Sequence, residues 1–144
     1  MFMGEFRHSL DQKGRIIIPA NFRNELGKIF IVTRGMDGCL FIYPQKSWDL
    51  LVDKLATLSL TKKDARSFSR FFYSGASECE IDKQGRVNLP QNLITFANLD
   101  KDCVILGVNS RVEIWDAKTY EKVDEEMTIQ ISDISEKLMD IDFD

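Results

Sequence analysis

The chain has 144 residues and a net charge of −4, with 44 % hydrophobic and 29 % charged residues. These proportions are those of an ordinary globular protein and exclude a disordered chain. No apolar run approaches the roughly 20 residues that span a bilayer, and no charged-then-apolar leader opens the sequence. We therefore expect a cytoplasmic protein with no membrane partner.

Charge is distributed unevenly along the chain. Residues 121–144 contain nine acidic residues and two lysines, a net charge of −7, which leaves +3 for residues 1–120. Local patches are therefore a better guide to a nucleic-acid partner than the overall charge. The acidic segment lacks the glycine-containing spacing of a calcium loop, and we interpret it as a solvated helix face or a screen against non-specific DNA.

The first half of the chain predicts two β-hairpin-like units and one short helix. Strands at 5–10 and 15–18 flank a four-residue turn, and Pro19 ends the second strand and opens a helix at 20–26. Gly27 is a plausible C-cap for that helix. A second hairpin pairs 28–34 with 39–43 through the turn at 35–38.

Three helical segments follow from apolar residues at 3.6-residue spacing. Core packing is the ordinary interpretation of each stripe, although three stripes around a small β core leave some apolar surface for subunit contacts. The stripes are Trp48, Leu51, Val52, Leu55 and Leu58; then Ala65, Phe68, Phe71 and Phe72; and finally Ile131, Ile134, Leu138 and Ile141.

An internal repeat organises the chain. Residues 10–19 (LDQKGRIIIP) match residues 81–90 (IDKQGRVNLP) at an offset of 71, and 43–48 match 115–120 at an offset of 72. The second copy therefore predicts a helix at 91–98 and a hairpin of 103–108 with 111–115. A module of about 45 residues cannot bury a sufficient core alone, so we expect the two copies to cover each other.

These elements predict an α+β fold in which two pseudo-symmetric β modules form a small β-barrel-like core with flanking α-helices. The predicted segments are module 1 at 5–48, linking helices at 49–75, module 2 at 76–120 and an acidic C-terminal helical segment at 121–144.

The two Asp-x-x-Gly-Arg turns carry the side chains best suited to DNA. Arginine is permanently charged, and its planar fork of donors matches phosphate or the guanine edge, while lysine suits phosphate. We predict double-stranded DNA as the partner and contacts from the basic residues in and beside the turns: Arg15, Arg86, Lys13, Lys83, Arg7 and Arg23.

The acidic and glycine residues of the turns have a second interpretation. Gly14 and Gly85 supply the positive φ that the turn needs, and Asp is a common turn starter. Asp11 and Asp82 lie four residues before Arg15 and Arg86, so each pair could simply brace its own turn. The two interpretations are compatible, because a carboxylate that orients an arginine prepares it for phosphate.

Catalysis and metal binding have little support in the sequence. His8 is the only histidine, and no third member of a catalytic triad accompanies it and Ser9. The three scattered cysteines, Cys39, Cys79 and Cys103, lack Cys-x-x-Cys spacing and are typical of small core residues. We predict no enzyme activity, no small-molecule substrate, no metal site and no cofactor.

The sequence resembles a known bacterial family over nearly its whole length. The matching stretches are LDxKGRxxxP at 10–19, ASECEIDxxGRVxLP at 76–90 and EIWD at 113–116. Two copies at this spacing resemble the MraZ family of transcriptional regulators, and each module resembles the AbrB-type (SpoVT-AbrB) swapped-hairpin fold.

The resemblance implies a function and an assembly. Family members bind direct repeats in the promoter of the division and cell-wall gene cluster that their own gene heads, which implies a nucleoid-associated protein. They form closed rings, and their Asp-x-x-x-Arg turns are the DNA contacts, which are Asp11 with Arg15 and Asp82 with Arg86 here. Asn88-Leu89 replaces the Ile-Ile of the first copy, so the two sites need not be equivalent.

Two alternatives remain open. Swapped-hairpin proteins include antitoxins that bind DNA while a disordered extension masks a toxin, and a ring protein could also be purely structural. The helical periodicity of residues 131–141 and the duplicated module are atypical of an antitoxin.

Overall fold

The computed structural model describes residues 1–138, and the predicted Ile141 of the third stripe lies outside them. Within that range the chain is α+β, as predicted. It forms β1 (Phe2–Ser9), β2 (Arg15–Ile17), α1 (Ala20–Leu26), β3 (Ile29–Arg34), β4 (Leu40–Pro44), α2 (Gln45–Leu55), α3 (Lys63–Gly75), β5 (Ser77–Glu80), β6 (Arg86–Asn88), α4 (Gln91–Phe96), β7 (Asp102–Asn109), β8 (Arg111–Asp116) and α5 (Ala117–Lys137).

The strands form two antiparallel sheets that interleave the halves of the chain. One sheet has six strands in the order β1-β7-β8-β4-β3-β5, and the other pairs β2 with β6. The strands β1 and β2 flank the first turn, but each pairs in these sheets with a strand of the other half. A short hairpin is marginal by itself, and pairing across the halves places both strands over a shared core.

The halves are related by a pseudo-twofold axis. Exchanging them maps the six-strand order onto itself, and the register agrees at the centre of the sheet. Leu40 pairs with Ile114 and Ile42 pairs with Val112, about the central pair of Phe41 and Glu113. The two-stranded sheet has the same symmetry. The predicted duplication is therefore present in the fold.

Alternate residues of the six-stranded sheet feed two hydrophobic clusters, one on each face. Leu40 and Ile42 belong to the cluster that α1, α4 and the two-stranded sheet cover. Phe41 and Tyr43 belong to the cluster beneath α2, α3 and α5. The two-stranded sheet consequently covers the first of these clusters, with its inner side chains in the core and its outer face toward solvent.

The three cysteines are free and buried, as expected of core residues. Burial raises the pKa of each thiol, and that of Cys103 reaches about 12. These thiols are therefore protonated and unreactive at neutral pH. Among residues 1–138, no helix is both long and apolar enough to cross a membrane.

Candidate nucleic-acid interface

The two Asp-x-x-Gly-Arg turns have nearly identical backbones. The carbonyl of Asp11 accepts a hydrogen bond from the amide of Gly14 at 3.1 Å, and that of Asp82 accepts from Gly85 at 3.0 Å. The two glycines have φ values of +79° and +78°. Glycine adopts this left-handed conformation without steric cost, so the sequence selects the turn that was predicted.

Each turn is closed by its own aspartate. In the first, Asp11 Oδ1 accepts from the backbone amides of Lys13 and Arg15, both at 2.9 Å, and Oδ2 accepts from Arg15 Nε at 2.7 Å. The backbone N–H of Arg15, helped by the other donors, lowers the pKa of the Asp11 carboxyl below its usual value. The carboxylate therefore stays charged at neutral pH and fixes its arginine.

The second turn repeats this arrangement. Asp82 Oδ1 accepts from the backbone amides of Gln84 and Arg86 at 2.9 and 2.8 Å, and Oδ2 accepts from Arg86 Nε at 2.9 Å. The backbone N–H of Arg86 is the largest cause of the lowered pKa of Asp82. Both pairs brace their turns through Nε, and in the second turn a terminal nitrogen, Arg86 Nη2, also donates to Gln84 Oε1 at 3.3 Å.

The two arginines lie on one face of the two-stranded sheet. Arg15 pairs with Asn88, Ile17 pairs with Arg86, and the central pair, Ile16 with Val87, is buried. Because paired residues share a face and neighbours alternate, the other four side chains lie on the outer face. We call this surface, formed by Arg15, Ile17, Arg86 and Asn88, the arginine face.

Backbone hydrogen bonds between the halves hold the two turns in one unit. The amide of Ile18 donates to the carbonyl of Gly85 at 2.8 Å, and the amide of Leu89 donates to the carbonyl of Gly14 at the same distance. Each turn is thus anchored to the strand that leaves the other turn. The separation of the two arginines is set by this shared backbone.

Arg23 contacts the turn of the opposite repeat. Its Nε donates to the carbonyl of Ile18 at 2.8 Å. Its guanidinium lies over Gly85, where an added Cβ would come within 2.3 Å of Arg23 Cζ. In the sequence Arg23 is close to the first turn, and only the crossing of the halves brings it to the second. The residue equivalent to Arg23 in the second copy is Ile94, which lies beside Gly14.

The two lysines of the turns are both exposed but occupy different positions. The first turn reads Asp-Gln-Lys-Gly-Arg and the second reads Asp-Lys-Gln-Gly-Arg, so Lys13 corresponds to Gln84 and Lys83 corresponds to Gln12. The charged residues of the two turns and Arg23 have a combined net charge of +3. They are Asp11, Lys13, Arg15, Arg23, Asp82, Lys83 and Arg86.

The structure does not bring Arg7 to the arginine face. Arg7 lies on β1, where its guanidinium contacts Glu121 at 3.1 Å and Glu5 at 3.8 Å. It lines an open groove of about 790 Å³ together with Asp100 and Asp102. The carboxylates of Glu121 and Glu5 that pair with Arg7 disfavour a phosphate at its guanidinium.

The difference between Ile17-Ile18 in the first copy and Asn88-Leu89 in the second involves one buried position and one exposed position. Ile18 and Leu89 are both buried, at 0 % and 3 % exposure, and are equivalent core residues. On the arginine face, only Ile17 and Asn88 depart from the pseudo-twofold symmetry. The sequence does not distinguish the two positions of this exchange, and the strand register shows that Ile17 and Asn88 face solvent.

Comparison with known proteins agrees with this duplicated arrangement. A family model described as "MraZ protein, putative antitoxin-like" matches the chain twice, at residues 1–71 and 72–142. The "Transcriptional regulator MraZ" of Ligilactobacillus salivarius is 57 % identical over 142 residues, 99 % of each chain. The protein of the same name from Natranaerobius thermophilus is 55 % identical over 142 residues, again 99 % of each.

Proposed function

Since the chain belongs to the MraZ family, we propose that it regulates transcription by binding double-stranded DNA through the arginine face. Its relatives are named as transcriptional regulators, and the prediction that the chain is not an enzyme is confirmed by them. The targets that we propose are direct repeats in the promoter of a division and cell-wall gene cluster. The protein would then work in the cytoplasm at the nucleoid.

One observation carries the proposal: two equivalent arginines, each fixed by an aspartate, share one exposed face. Side-chain exposures of 30 % for Arg15 and 27 % for Arg86 leave the guanidinium tips accessible. The Nε pairs restrict the arginine rotamers before DNA arrives, which lowers the entropy lost on binding. The terminal nitrogens can then pair with phosphate or with guanine O6 and N7.

The exchange of strands between the halves supports an AbrB-type swapped-hairpin assignment. Each half contributes its first strand to the edge of the sheet beside a strand of the other half, β1 beside β7 and β5 beside β3. We propose that this exchange is the swapped hairpin of the resembled fold, contained here within one chain. Its benefit for DNA binding is a rigid pair of turns at a fixed separation.

Assembly into a ring would supply the affinity that one subunit lacks. Each chain offers few phosphate contacts, and each contact is individually weak and sensitive to salt. Several copies held together can add about 10²–10⁴ in avidity when the DNA carries several repeats. We therefore propose a closed homo-oligomeric ring as the form that binds DNA.

Helix α5 offers an apolar stripe for that assembly. Tyr120 and Val123 seat the beginning of the helix against its own sheet. The same stripe continues beyond that contact through Met127, Ile131 and Leu138, which are 42 %, 51 % and 54 % exposed. Exposed apolar residues in helical register mark a protein contact surface.

A second copy of the chain is the occupant that we propose for this stripe. The turn between α2 and α3 forms a depression of about 240 Å³, lined in part by Leu58, Leu60 and Arg66. Residues 58–70 carry a net +3, and residues 121–138 carry a net −4. Docking of α5 into this depression on a neighbour is head-to-tail, and such contacts close into rings when the rotation permits.

Binding to the DNA immediately upstream of the chain's own gene tests the proposal. A labelled duplex of that DNA is titrated with the full chain over a salt series, beside a shuffled duplex of the same composition. We expect a preference for the upstream duplex, with affinity that falls linearly on a log–log plot against salt. Equal binding of both duplexes, or none at low salt, would favour a purely structural ring. A small protein that co-purifies with the chain would favour an antitoxin-like role.

A further inference from the structure

The arginine face is a two-stranded ribbon with a twofold axis through its centre. Ile16 and Val87 pair at that axis. Rotation about this axis exchanges the position of Arg15 with that of Arg86, and the position of Ile17 with that of Asn88. A two-stranded β-ribbon is narrow enough to enter the major groove of B-DNA.

The four outward side chains form two diagonals. Arg15 and Arg86 are diagonal neighbours across the ribbon, at about 7–8 Å between Cα atoms in such a pair. Asn88 and Ile17 form the other diagonal, since each is directly opposite an arginine. One diagonal therefore obeys the pseudo-twofold symmetry, and the other breaks it.

The broken diagonal joins two side chains with different base preferences. The side-chain amide of asparagine can accept from N6 of adenine through Oδ1 and donate to N7 through Nδ2. The branched aliphatic side chain of isoleucine has no hydrogen-bonding group and suits contact with the thymine methyl. Asn88 is exposed and Ile17 is 37 % exposed, so neither is committed to the core.

The broken symmetry has a consequence for orientation. A face with perfect twofold symmetry reads a site equally well in both directions, which suits a palindrome. A direct repeat has a direction, and a subunit that prefers one direction needs an asymmetric contact to base edges. The lysine positions and Arg23 also differ between the turns, but lysine suits phosphate, which carries no direct sequence information, and Arg23 is held by the carbonyl of Ile18.

We propose that Asn88 and Ile17 form the base-reading diagonal that fixes the direction of each subunit on its DNA repeat. This inference rests on the proposed DNA-binding function. In it, Arg15 and Arg86 supply affinity and register in both orientations, whereas Asn88 on one side and Ile17 on the other discriminate between the two ends of the repeat.

The experiment compares three full-length variants with the parent chain. Asn88→Ile and Ile17→Asn each restore the symmetry of the face, and the double exchange Ile17→Asn/Asn88→Ile reverses its asymmetry. Direction is read by attaching a DNA-cleaving iron chelate to a cysteine introduced at exposed Gln12, since the native cysteines are buried. The probe is the labelled upstream duplex and its shuffled counterpart.

We expect the parent chain to cleave each repeat on one side only. Asn88→Ile should lower the preference for the upstream duplex by about 5- to 150-fold, as for loss of one bidentate base contact. Both symmetric variants should cleave on both sides, and the double exchange should shift cleavage toward the opposite side. The thermal unfolding midpoint should change little, because both positions are at the surface.

Two failures are distinguishable. If the parent chain itself shows no preference for the upstream duplex, the proposed function and this inference are both contradicted. The inference alone is overturned by a different result. In that result the parent chain prefers the upstream duplex, and the variants keep both its affinity and its one-sided cleavage. Asn88→Asp is a further check, because it keeps the acceptor for N6 of adenine but loses the donor to N7, so the preference for the upstream duplex should fall as it does in Asn88→Ile.

Discussion

The guanidinium of Arg23, in the first repeat, lies directly over Gly85, in the turn of the second repeat. Replacement of Gly85 by Ala should cost more stability than replacement of Gly14. Both glycines have positive φ, so each substitution costs about 1–2 kcal/mol in backbone strain. Gly85→Ala should cost about 1 kcal/mol more, because its methyl group displaces Arg23 from the carbonyl of Ile18.

Urea unfolding at matched protein concentration measures this difference. Arg23→Ala provides the control, since without the guanidinium the two glycine substitutions should have nearly equal effects on the free energy of unfolding. A difference that persists in the Arg23→Ala background would show that the contact is not its cause.

Removal of the charge on the two aspartates should reduce the preference for the upstream duplex over the shuffled duplex without unfolding the chain. Asp11→Asn keeps a side-chain oxygen for the backbone amides but places an NH2 donor where Oδ2 accepts from Arg15 Nε, so that bond is lost. Because the arginine is then less well oriented, the ratio of affinities for the upstream and shuffled duplexes should fall several-fold. Asp82→Asn should behave alike, by the symmetry of the turns.

Far-ultraviolet circular dichroism and DNA titration together check this prediction. An unchanged ratio of affinities with a lower unfolding midpoint would assign both aspartates to turn stability alone. Asp11→Ala is a useful comparison, because it also removes the acceptor for the backbone amides and should destabilise the turn.

Substitution in the exposed stripe of α5 should dissociate the assembly. Ile131→Asp places a charge where the helix would dock on a neighbour, and a buried unpaired charge is strongly unfavourable. Ile129 provides the matched control: it is 76 % exposed and lies on the opposite side of the same helix. We expect Ile131→Asp to reduce the mass measured by light scattering, and Ile129→Asp to leave it unchanged.

The basic side of the proposed contact has its own test. Arg66→Glu and Arg70→Glu should weaken the assembly, and this effect should grow as salt is lowered, because like charges then repel most strongly. Equal masses for the parent chain and for all of these variants would contradict docking of α5 in the depression between α2 and α3.

The three cysteines should react only when the chain unfolds. Burial raises the pKa of all three thiols, so little thiolate is present at neutral pH and access is restricted. A thiol-specific chromogenic reagent should detect none of them quickly in the native protein and all three in guanidinium chloride. Rapid reaction of one thiol in the native state would contradict its core position.

Local patterns in the sequence predicted much of the fold. Gly14 and Gly85, at equal places in the repeat, fixed the turn conformation, and prolines at 19 and 90 correctly placed the starts of two short helices. The hairpins of β3 with β4 and of β7 with β8 were also correct, since their short connections leave little freedom in pairing.

Pairing across the halves could not be predicted from the same patterns. A repeat shows that two units are alike but not how their strands pair. Pairing within a module and pairing between modules bury similar apolar residues, so the sequence does not distinguish them. The position of Arg23 over Gly85 and the outward orientation of Asn88 follow from that exchange. The acidic neighbours of Arg7 were likewise hidden, because Glu121 is 114 residues away in the chain.

Replacement of the two arginines tests the central claim most directly. The affinity of the full chain for the upstream duplex is measured by fluorescence anisotropy over a salt series for Arg15→Ala, Arg86→Ala and the exposed-cation control Lys118→Ala. We predict a loss of about 5- to 150-fold for each arginine, a smaller salt slope, and an unchanged fold and assembly mass. Parent-like affinity in both arginine variants, or a loss explained entirely by unfolding, would contradict DNA binding through the arginine face.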